Sequence, residues 1–303
     1  MTSVCSLRVV LVPDLICVTG QIDIVKEKNL EIKANYHTHT NLCDGKNSPE
    51  EMVLAAIKAG LKHLGFSGHF DPDVYMDIDK YKKEIRSLQE KYRDRIDILL
   101  GAEVDRLFDV AKARDCEYII GSTHGLNTGE GIISVDSSPE ILQKLCIDHF
   151  GSDYYRLTKA YYDLEATVVD VIKPDFIGHF DIVTKFNDTL HFVDEEDPRY
   201  LKSALDTLEH LCKYDIPFEI NTAAYYRGMK KEMYPNMQLL KALHDFGARI
   251  VISSDAHNSA VLTGAFDIAA EKAAFCGFKS VNILVHDRNG HIAWEEVPLK
   301  GKL

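Results

Sequence analysis

The segment most informative about the architecture is Asn35-Tyr36-His37-Thr38-His39-Thr40-Asn41-Leu42-Cys43-Asp44-Gly45. His37 and His39 are two positions apart in an extended segment, so both imidazoles point to the same face of a strand. Asp44 follows in an Asp-Gly turn, from which its carboxylate can reach back over the strand end. The three side chains could bind one metal ion, although the pair alone also fits one core histidine and one exposed histidine.

Further along the chain, short apolar strands recur, and most of them end in a histidine or an acid. They alternate with amphipathic helices, the first of which begins at Ser48-Pro49-Glu50-Glu51 with serine as N-cap. This alternation is typical of a parallel sheet and predicts an α/β protein. The strands after the first are predicted at residues 64–69, 96–105, 118–125, 175–181, 218–222, 250–257 and 281–285. The main later helices are predicted at 78–93, 154–171, 198–214, 237–246 and 265–276, with a loop or lid from 126.

Length and composition favour one barrel-sized domain. The chain has 303 residues, 46% of them apolar and 27% charged, which is ordinary for a globular protein with a substantial core. Barrels of the α/β class run to about 250 residues as one unit. We expect an N-terminal extension or extra strand over 1–33, a barrel over 34–290 and a C-terminal tail over 291–303.

Charge and cysteine content argue against several classes of protein. The formal charge of −12 disfavours a broad nucleic-acid surface, whose affinity depends on Lys and Arg. No run approaches the roughly eighteen apolar residues of a membrane span. Seven scattered cysteines without a C-x-x-C pair are typical of free thiols in a reducing compartment. We therefore expect a cytoplasmic protein that binds neither nucleic acid nor membranes, with Cys43 as the one cysteine near the candidate site.

The polar strand ends matter because the carboxyl ends of parallel strands meet at one mouth of a barrel. Histidines combined with a few carboxylates suit Zn, Fe or Mn better than Ca or Mg, which prefer oxygen ligands. Nine candidates are too many for one ion and fit two or three divalent ions. The candidate ligands are His37, His39, Asp44, His69, Glu103, His124, His179, Asp255 and His257. The remaining histidines, expected to have surface or packing roles, are His63, His149, His191, His210, His244, His286 and His291.

Six motifs in order carry a resemblance to a known family: His37-Thr-His39, Gly65-Phe-Ser-Gly-His69, Gly101-Ala-Glu103-Val-Asp105, Gly121-Ser-Thr-His124, Gly178-His179-Phe-Asp181 and Ser254-Asp255-Ala-His257. Over roughly residues 34–285 the series resembles the polymerase and histidinol phosphatase (PHP) superfamily. Within it the chain is most similar to the stand-alone histidinol-phosphatases, through Glu219-Ile-Asn221-Thr222, Arg227 and Tyr234-Pro235-Asn236.

The resemblance implies a distorted seven-stranded, TIM-like (β/α) barrel with three metal ions. His37, His39, Glu103 and Asp255 would hold the first ion. Glu103 would bridge to a second, held by His124 and His179, while Asp44, His69 and His257 would hold the third. The chain departs from the family pattern at Asp44, where several relatives have histidine, and at Gly68, where close relatives often have an acid.

The activity implied by the resemblance is hydrolysis of a small phosphorylated substrate, L-histidinol phosphate, to L-histidinol and phosphate in histidine biosynthesis, by a metal-activated water. Arg227 is expected to clamp the phosphate, unless it is a solvated loop arginine. Asp255, His257 or a water on the metal could protonate the leaving group. Glu130 could meet the substrate ammonium group or remain a solvated surface acid.

Two other functions stay open from the residues. The same scaffold could act on nucleotides, sugar phosphates or nucleic acids, although the excess of acidic over basic residues disfavours a nuclease. A non-catalytic metal-binding domain is the second alternative. A relic site of that kind would be expected to have lost ligands, whereas all nine positions carry coordinating residues.

Overall fold

The computed structural model describes residues 32–71 and 74–299, so the predicted N-terminal element lies almost entirely outside the described residues. The strands are β1 (Ala34–Asn35), β2 (His63–Phe66), β3 (Asp97–Asp105), β4 (Tyr118–Ser122), β5 (Gly125–Asn127), β6 (Ile132–Ser134), β7 (Phe176–Ile177), β8 (Phe218–Asn221), β9 (Ile250–Ser253), β10 (Ser280–His286) and β11 (Ile292–Pro298). The helices are α1 (Pro49–Lys58), α2 (Ile78–Tyr92), α3 (Pro139–Phe150), α4 (Tyr154–Glu165), α5 (Val168–Ile172), α6 (Asn187–Leu190), α7 (Pro198–Leu211), α8 (Ala223–Tyr226), α9 (Met237–Asp245) and α10 (Phe266–Cys276).

Seven of the strands form one parallel sheet in the order β1-β2-β3-β4-β7-β8-β9. The two outer strands meet just beyond their ends. There the His39 amide donates to the Ala256 carbonyl at 2.9 Å, and the Ala256 amide donates to the His37 carbonyl at 3.1 Å. These bonds close the sheet, and the predicted distorted seven-stranded barrel is confirmed.

The barrel interior below its mouth is filled by Tyr118. The ring is buried, and its hydroxyl lies 2.6 Å from the Tyr36 carbonyl and 3.0 Å from the Phe66 carbonyl. A Cβ atom on Gly65 would lie 2.3 Å from the Tyr118 hydroxyl, and one on Gly101 would lie 2.1 Å from its ring. Both glycines are therefore required by space, and the mouth has a solid floor.

Two predicted segments differ from the observed structure in the middle of the chain. The predicted strand 118–125 ends at Ser122, and the predicted loop from 126 contains the antiparallel hairpin β5–β6 before α3 begins. The predicted helix 154–171 is divided into α4 and α5. At the break, the Thr167 hydroxyl donates to the Leu164 carbonyl and accepts from Arg106 Nε. These side-chain hydrogen bonds compete with the backbone hydrogen bonds of a continuous helix.

The predicted C-terminal tail is largely strand β11, which pairs antiparallel with β10. This hairpin covers the amino end of the barrel, where Leu284 packs against Tyr36, Tyr118 and Phe176. The Tyr36 hydroxyl donates to the Leu284 carbonyl at 2.7 Å. The sequence did not indicate this strand, because the apolar face of β11 has a partner only once the barrel floor exists.

His286, at the end of β10, ties this hairpin to the barrel. Its Nδ1 lies 2.5 Å from Asp97 Oδ1 and its Nε2 lies 3.0 Å from Glu117 Oε1. These two carboxylates raise the pKa of His286 to about 10. His286, for which the sequence predicted a surface or packing role, is thus the centre of a structural ion-pair cluster.

We predict that His286→Ala lowers the free energy of unfolding by about 1–2 kcal/mol at pH 6.5, because it removes charge-assisted hydrogen bonds. The folded-state pKa lies above the ordinary value near 6.5, so the stabilisation is fully present below pH 6.5 and is lost as the pH rises through about 10. Thermal melts between pH 6.5 and 10 should show the two proteins converging. The control is His291→Ala, an exposed histidine on the same hairpin, and a gap that widens with pH would contradict the assignment.

Candidate metal centre

The structure brings all nine predicted ligands together at the carboxyl ends of the strands. His37 and His39 follow β1, His69 follows β2, and Glu103 lies in β3. His124 and His179 follow β4 and β7, and Asp255 and His257 follow β9. Asp44 reaches the site from its turn, with Oδ2 3.0 Å from His257 Nε2.

Glu103 is the centre of the cluster. It is 1% exposed, and its two carboxylate oxygens face five imidazoles. Oε2 lies 3.1 Å from His37 Nε2, 3.4 Å from His39 Nε2 and 3.3 Å from His69 Nδ1. Oε1 lies 2.9 Å from His179 Nε2 and 3.2 Å from His124 Nε2. A carboxylate in this position can bridge two ions.

Three groups of side chains present ligand atoms within 4.8 Å of one another. They are His39, Asp44, His69 and His257; His37, Glu103 and His179; and His37, His39 and Asp255. His37 and His39 are each shared between two groups, as expected when neighbouring ions share a compact ligand set. The expectation that the chain carries metal-binding groups is confirmed.

A second set of acids holds the imidazoles in place. Glu219 Oε1 accepts from His37 Nδ1 at 2.8 Å, and its other oxygen accepts from the His179 amide at 2.8 Å. Asp105 plays a similar part for His124, with Oδ2 3.4 Å from Nδ1. Such partners fix the tautomer that leaves the opposite nitrogen free for a metal. The sequence interpretation gave neither acid this role, although both lie in quoted motifs.

The electrostatics of the site favour cations. Burial lowers the pKa of His37, but the carboxylates of Glu219, Glu103 and Asp255 outweigh it and raise the pKa to about 10. Burial likewise opposes ionisation of Glu103, yet the surrounding imidazoles hold its pKa well below the usual range. The carboxylates therefore stay charged, and a metal ion would replace protons on the imidazoles.

Two details of hydrogen bonding fit metal ions. The Nε2 atom of His39 is buried without a hydrogen-bond partner in the described parts of the chain, yet it faces Glu103 and Asp255 at 3.4 Å each. The Nε2 atoms of His124 and His179 face each other at 3.1 Å, which a shared cation explains better than a hydrogen bond between two rings already facing Glu103. Asp255 has a φ of +50°, a conformation that non-glycine residues adopt at functional sites.

The other predicted site residues lie at different distances from the cluster. Arg227 is at its edge, with Nη2 2.9 Å from His257 Nδ1 and 3.0 Å from the Asp255 carbonyl. Cys43 Sγ lies 3.8 Å from His39 Nδ1. Glu130 is exposed in the turn between β5 and β6 and does not line the cavity, so it is placed as a surface acid.

A cavity of about 510 Å³ opens beside the cluster. One side is formed by the ligands, and the other by residues that are partly apolar. Among the polar residues of that wall, Asp136 accepts from Lys185 at 3.0 Å and from the Ser134 hydroxyl at 2.9 Å. The sequence interpretation considered acids of this loop but did not single out Asp136. The remaining lining residues on this side include Phe108, Ile132, Ile182, Met229 and Tyr234.

Comparison with protein families matches residues 35–223 to the PHP domain. Two curated relatives are named "Probable histidinol-phosphatase". The one from Schizosaccharomyces pombe is 26% identical, covering 86% of this chain and 92% of its own length. The one from Deinococcus radiodurans is 29% identical, covering 81% of this chain and 94% of its own.

Among solved structures, histidinol phosphate phosphatase from Lactococcus lactis, complexed with zinc, L-histidinol and phosphate, aligns with a TM-score of 0.64. It is 19% identical and covers 86% of this chain and 98% of its own, so the two share a fold. Within residues 32–71 and 74–299, none of the helices combines the length and apolar character needed to cross a bilayer.

We predict that Glu219→Gln weakens metal binding about 10- to 100-fold, the usual cost of removing a residue that orients a ligand. Glu219 accepts from three donors, His37 Nδ1, the His179 amide and Asn221 Nδ2. Glutamine has one acceptor oxygen, and its amide group would face a donor. Metal content after competition with a chelator measures the effect.

The matched control is Glu165→Gln. Glu165 is also fully buried, but burial raises its pKa to about 8, so an amide changes its charge little at neutral pH. Its metal content should equal that of the wild type. Equal metal retention in both variants would show that Glu219 does not position a ligand.

Proposed function

The chain belongs to the PHP domain family, and on this basis we propose that it is a metal-dependent phosphomonoesterase that hydrolyses L-histidinol phosphate to L-histidinol and phosphate. The observation that carries the proposal is the gathering of five imidazoles around the Glu103 carboxylate beside a cavity. The names of the two relatives and the ligands of the Lactococcus lactis structure support this substrate.

The proposed centre holds two or three divalent ions, Zn, Fe or Mn. One ion would take His37, His39, Glu103 and Asp255, and a second would share Glu103 and take His124 and His179. The third would take Asp44, His69 and His257. The mixture of imidazole and carboxylate ligands supports these metals over Ca or Mg.

When bound, such ions would supply positive charge for the phosphoryl oxygens and a water of nearly neutral pKa. The residues of the chain would then orient the ester. The Arg227 guanidinium, beside His257 and lining the cavity, would donate paired hydrogen bonds to the phosphate. Such fixed donors stabilise the charge of the transition state.

Asp255 and His257 lie at the edge of the cavity and are given different roles. Burial opposes ionisation of Asp255, but His37 and the neighbouring imidazoles hold its pKa well below the usual range. Asp255 would therefore remain a carboxylate and bind metal. When the centre holds two ions and His257 binds none, its ring, which also lines the cavity, is the proposed donor to the leaving alcohol.

We further propose a reducing, cytoplasmic location and no nucleic-acid partner. Among the described residues, Cys43, Cys116, Cys146, Cys212 and Cys276 are free thiols, which supports the location. The net charge of −12 supports the second point, because a nucleic acid would meet repulsion outside the metal centre.

The substrate is tested by a phosphate-release panel with the metal-loaded enzyme. Histidinol phosphate should have a kcat/KM at least about 10-fold above that of nucleotides, sugar phosphates and short DNA, since one well-placed polar contact discriminates by this much or more. A preference for any other member would replace histidinol phosphate by that substrate class. No release from any ester would indicate a metal-binding domain without this activity.

We predict that His37→Ala lowers kcat at least about 100-fold, because it removes a ligand shared by two of the three groups. Arg227→Ala should lower kcat/KM by about 10- to 100-fold while metal content stays constant, because the guanidinium acts on the phosphate. Steady-state kinetics and metal analysis separate the two effects. Full activity in His37→Ala would contradict the metal mechanism, whereas full activity in Arg227→Ala would remove only the clamp.

A further inference from the structure

Tyr234 presents an unexplained polar atom to the cavity. The residue is 2% exposed and lines the cavity wall. Its hydroxyl has no hydrogen-bond partner among residues 32–71 and 74–299. A buried hydroxyl without a partner is destabilising, so one is retained where a bound molecule supplies the missing bond.

The position of Tyr234 is fixed from both sides. Its backbone pairs with Asn221 at the end of β8, through bonds of 3.1 and 2.7 Å. Two residues later, Asn236 caps α9 by accepting from the Leu239 amide at 3.0 Å and donates to Glu195 at 2.7 Å. The backbone at Tyr234 is therefore fixed by a strand and a helix, and this fixes the direction of the side chain, as a binding group requires.

The charges around Tyr234 indicate which part of a substrate it meets. Tyr234 lines the cavity together with the carboxylates of Asp71, Asp105 and Asp136 and with Lys185, which pairs with Asp136 at 3.0 Å. The Lys230 ammonium lies 5.7 Å from the centroid of the Tyr234 ring and is paired with Glu195 at 3.3 Å. These lining carboxylates, which are not proposed metal ligands, would repel a phosphoryl dianion and attract a cationic nitrogen. Burial holds the pKa of Tyr234 well above 10, so the hydroxyl remains a donor.

We propose that the Tyr234 hydroxyl hydrogen-bonds to the alcohol part of the bound phosphate ester and selects alcohols that carry a polar nitrogen. The inference rests on the proposed function, since it takes the cavity to bind a phosphate monoester. The hydroxyl both donates and accepts, so it can pair with a ring nitrogen or an ammonium group. Arg227 and the metal ligands are left to bind the phosphoryl end.

A structural role is the alternative explanation. Asp181 Oδ1 is also buried without a hydrogen-bond partner in the described chain, and one trapped water could join it to the Tyr234 hydroxyl. In that case the hydroxyl would stabilise the fold and would not contact the substrate. The two roles predict different effects of Tyr234→Phe. A structural role predicts lower stability with unchanged kinetics, and a substrate contact predicts changed kinetics with no loss of stability.

The test measures kcat/KM of metal-loaded wild type and Tyr234→Phe on histidinol phosphate and on phenyl phosphate, whose alcohol part has no polar nitrogen. We expect a loss of about 10-fold or more on histidinol phosphate and less than about 3-fold on phenyl phosphate, with the melting temperature unchanged. The matched control is Tyr200→Phe. Tyr200 is buried away from the cavity, and its hydroxyl pairs with that of Tyr162 at 2.7 Å. Its loss should lower the melting temperature by about 2–4 °C without changing either rate.

The inference is decided by comparing the loss of kcat/KM on histidinol phosphate with the loss on phenyl phosphate. Equal losses on both esters would place the contact at the phosphoryl group and overturn it. A lower melting temperature with unchanged kinetics would support the water-mediated structural role and also overturn it. If the wild type prefers another ester, the ratio is still taken between histidinol phosphate and phenyl phosphate, so the proposed substrate can fail independently. If the wild type hydrolyses no ester, the proposed function and the inference fail together.

Discussion

The arrangement of the site depends on one buried carboxylate. Glu103 lies near the carboxyl end of β3, and its oxygens face imidazoles from four separate strand ends. Its register is set on both sides, by the bridge to His69 and by pairing with Ile120 of β4. A shift of one residue would turn the carboxylate to the other face of the sheet and leave the histidines without their common anion.

Other protein groups hold the side chains around Glu103 in place, and these contacts do not depend on a bound cation. Glu219 spans from the His37 ring to the backbone of His179, and Asp105 accepts from the His124 amide while facing its ring. Each acid therefore links a side chain to a neighbouring strand end. Because the strands themselves are short, these polar links and the Tyr118 floor define the shape of the mouth.

The barrel, and the gathering of the nine candidate ligands, could be predicted from sequence because both depend on local patterns. A strand that ends in histidine can be recognised from a few residues, and parallel topology brings such ends together. Contacts between residues far apart in the chain are not visible in such local patterns. His37 and Glu219 are 182 positions apart, and only folding shows that one orients the other.

Loops were predicted less well for a related reason. Glu130 and Asp136 lie in the same predicted loop and look alike in sequence. The β5–β6 hairpin exposes Glu130 in its turn and returns Asp136 to the cavity wall. Likewise, β11 contains adjacent acids that resemble a tail, and its packing depends on the barrel floor.

The aromatic floor has a consequence for how this chain can vary. Tyr118, Gly65 and Gly101 come from three adjacent strands, and their atoms compete for one volume. A side chain acquired at either glycine would demand a smaller residue at position 118, so the three sites should change together among homologues and in engineered versions.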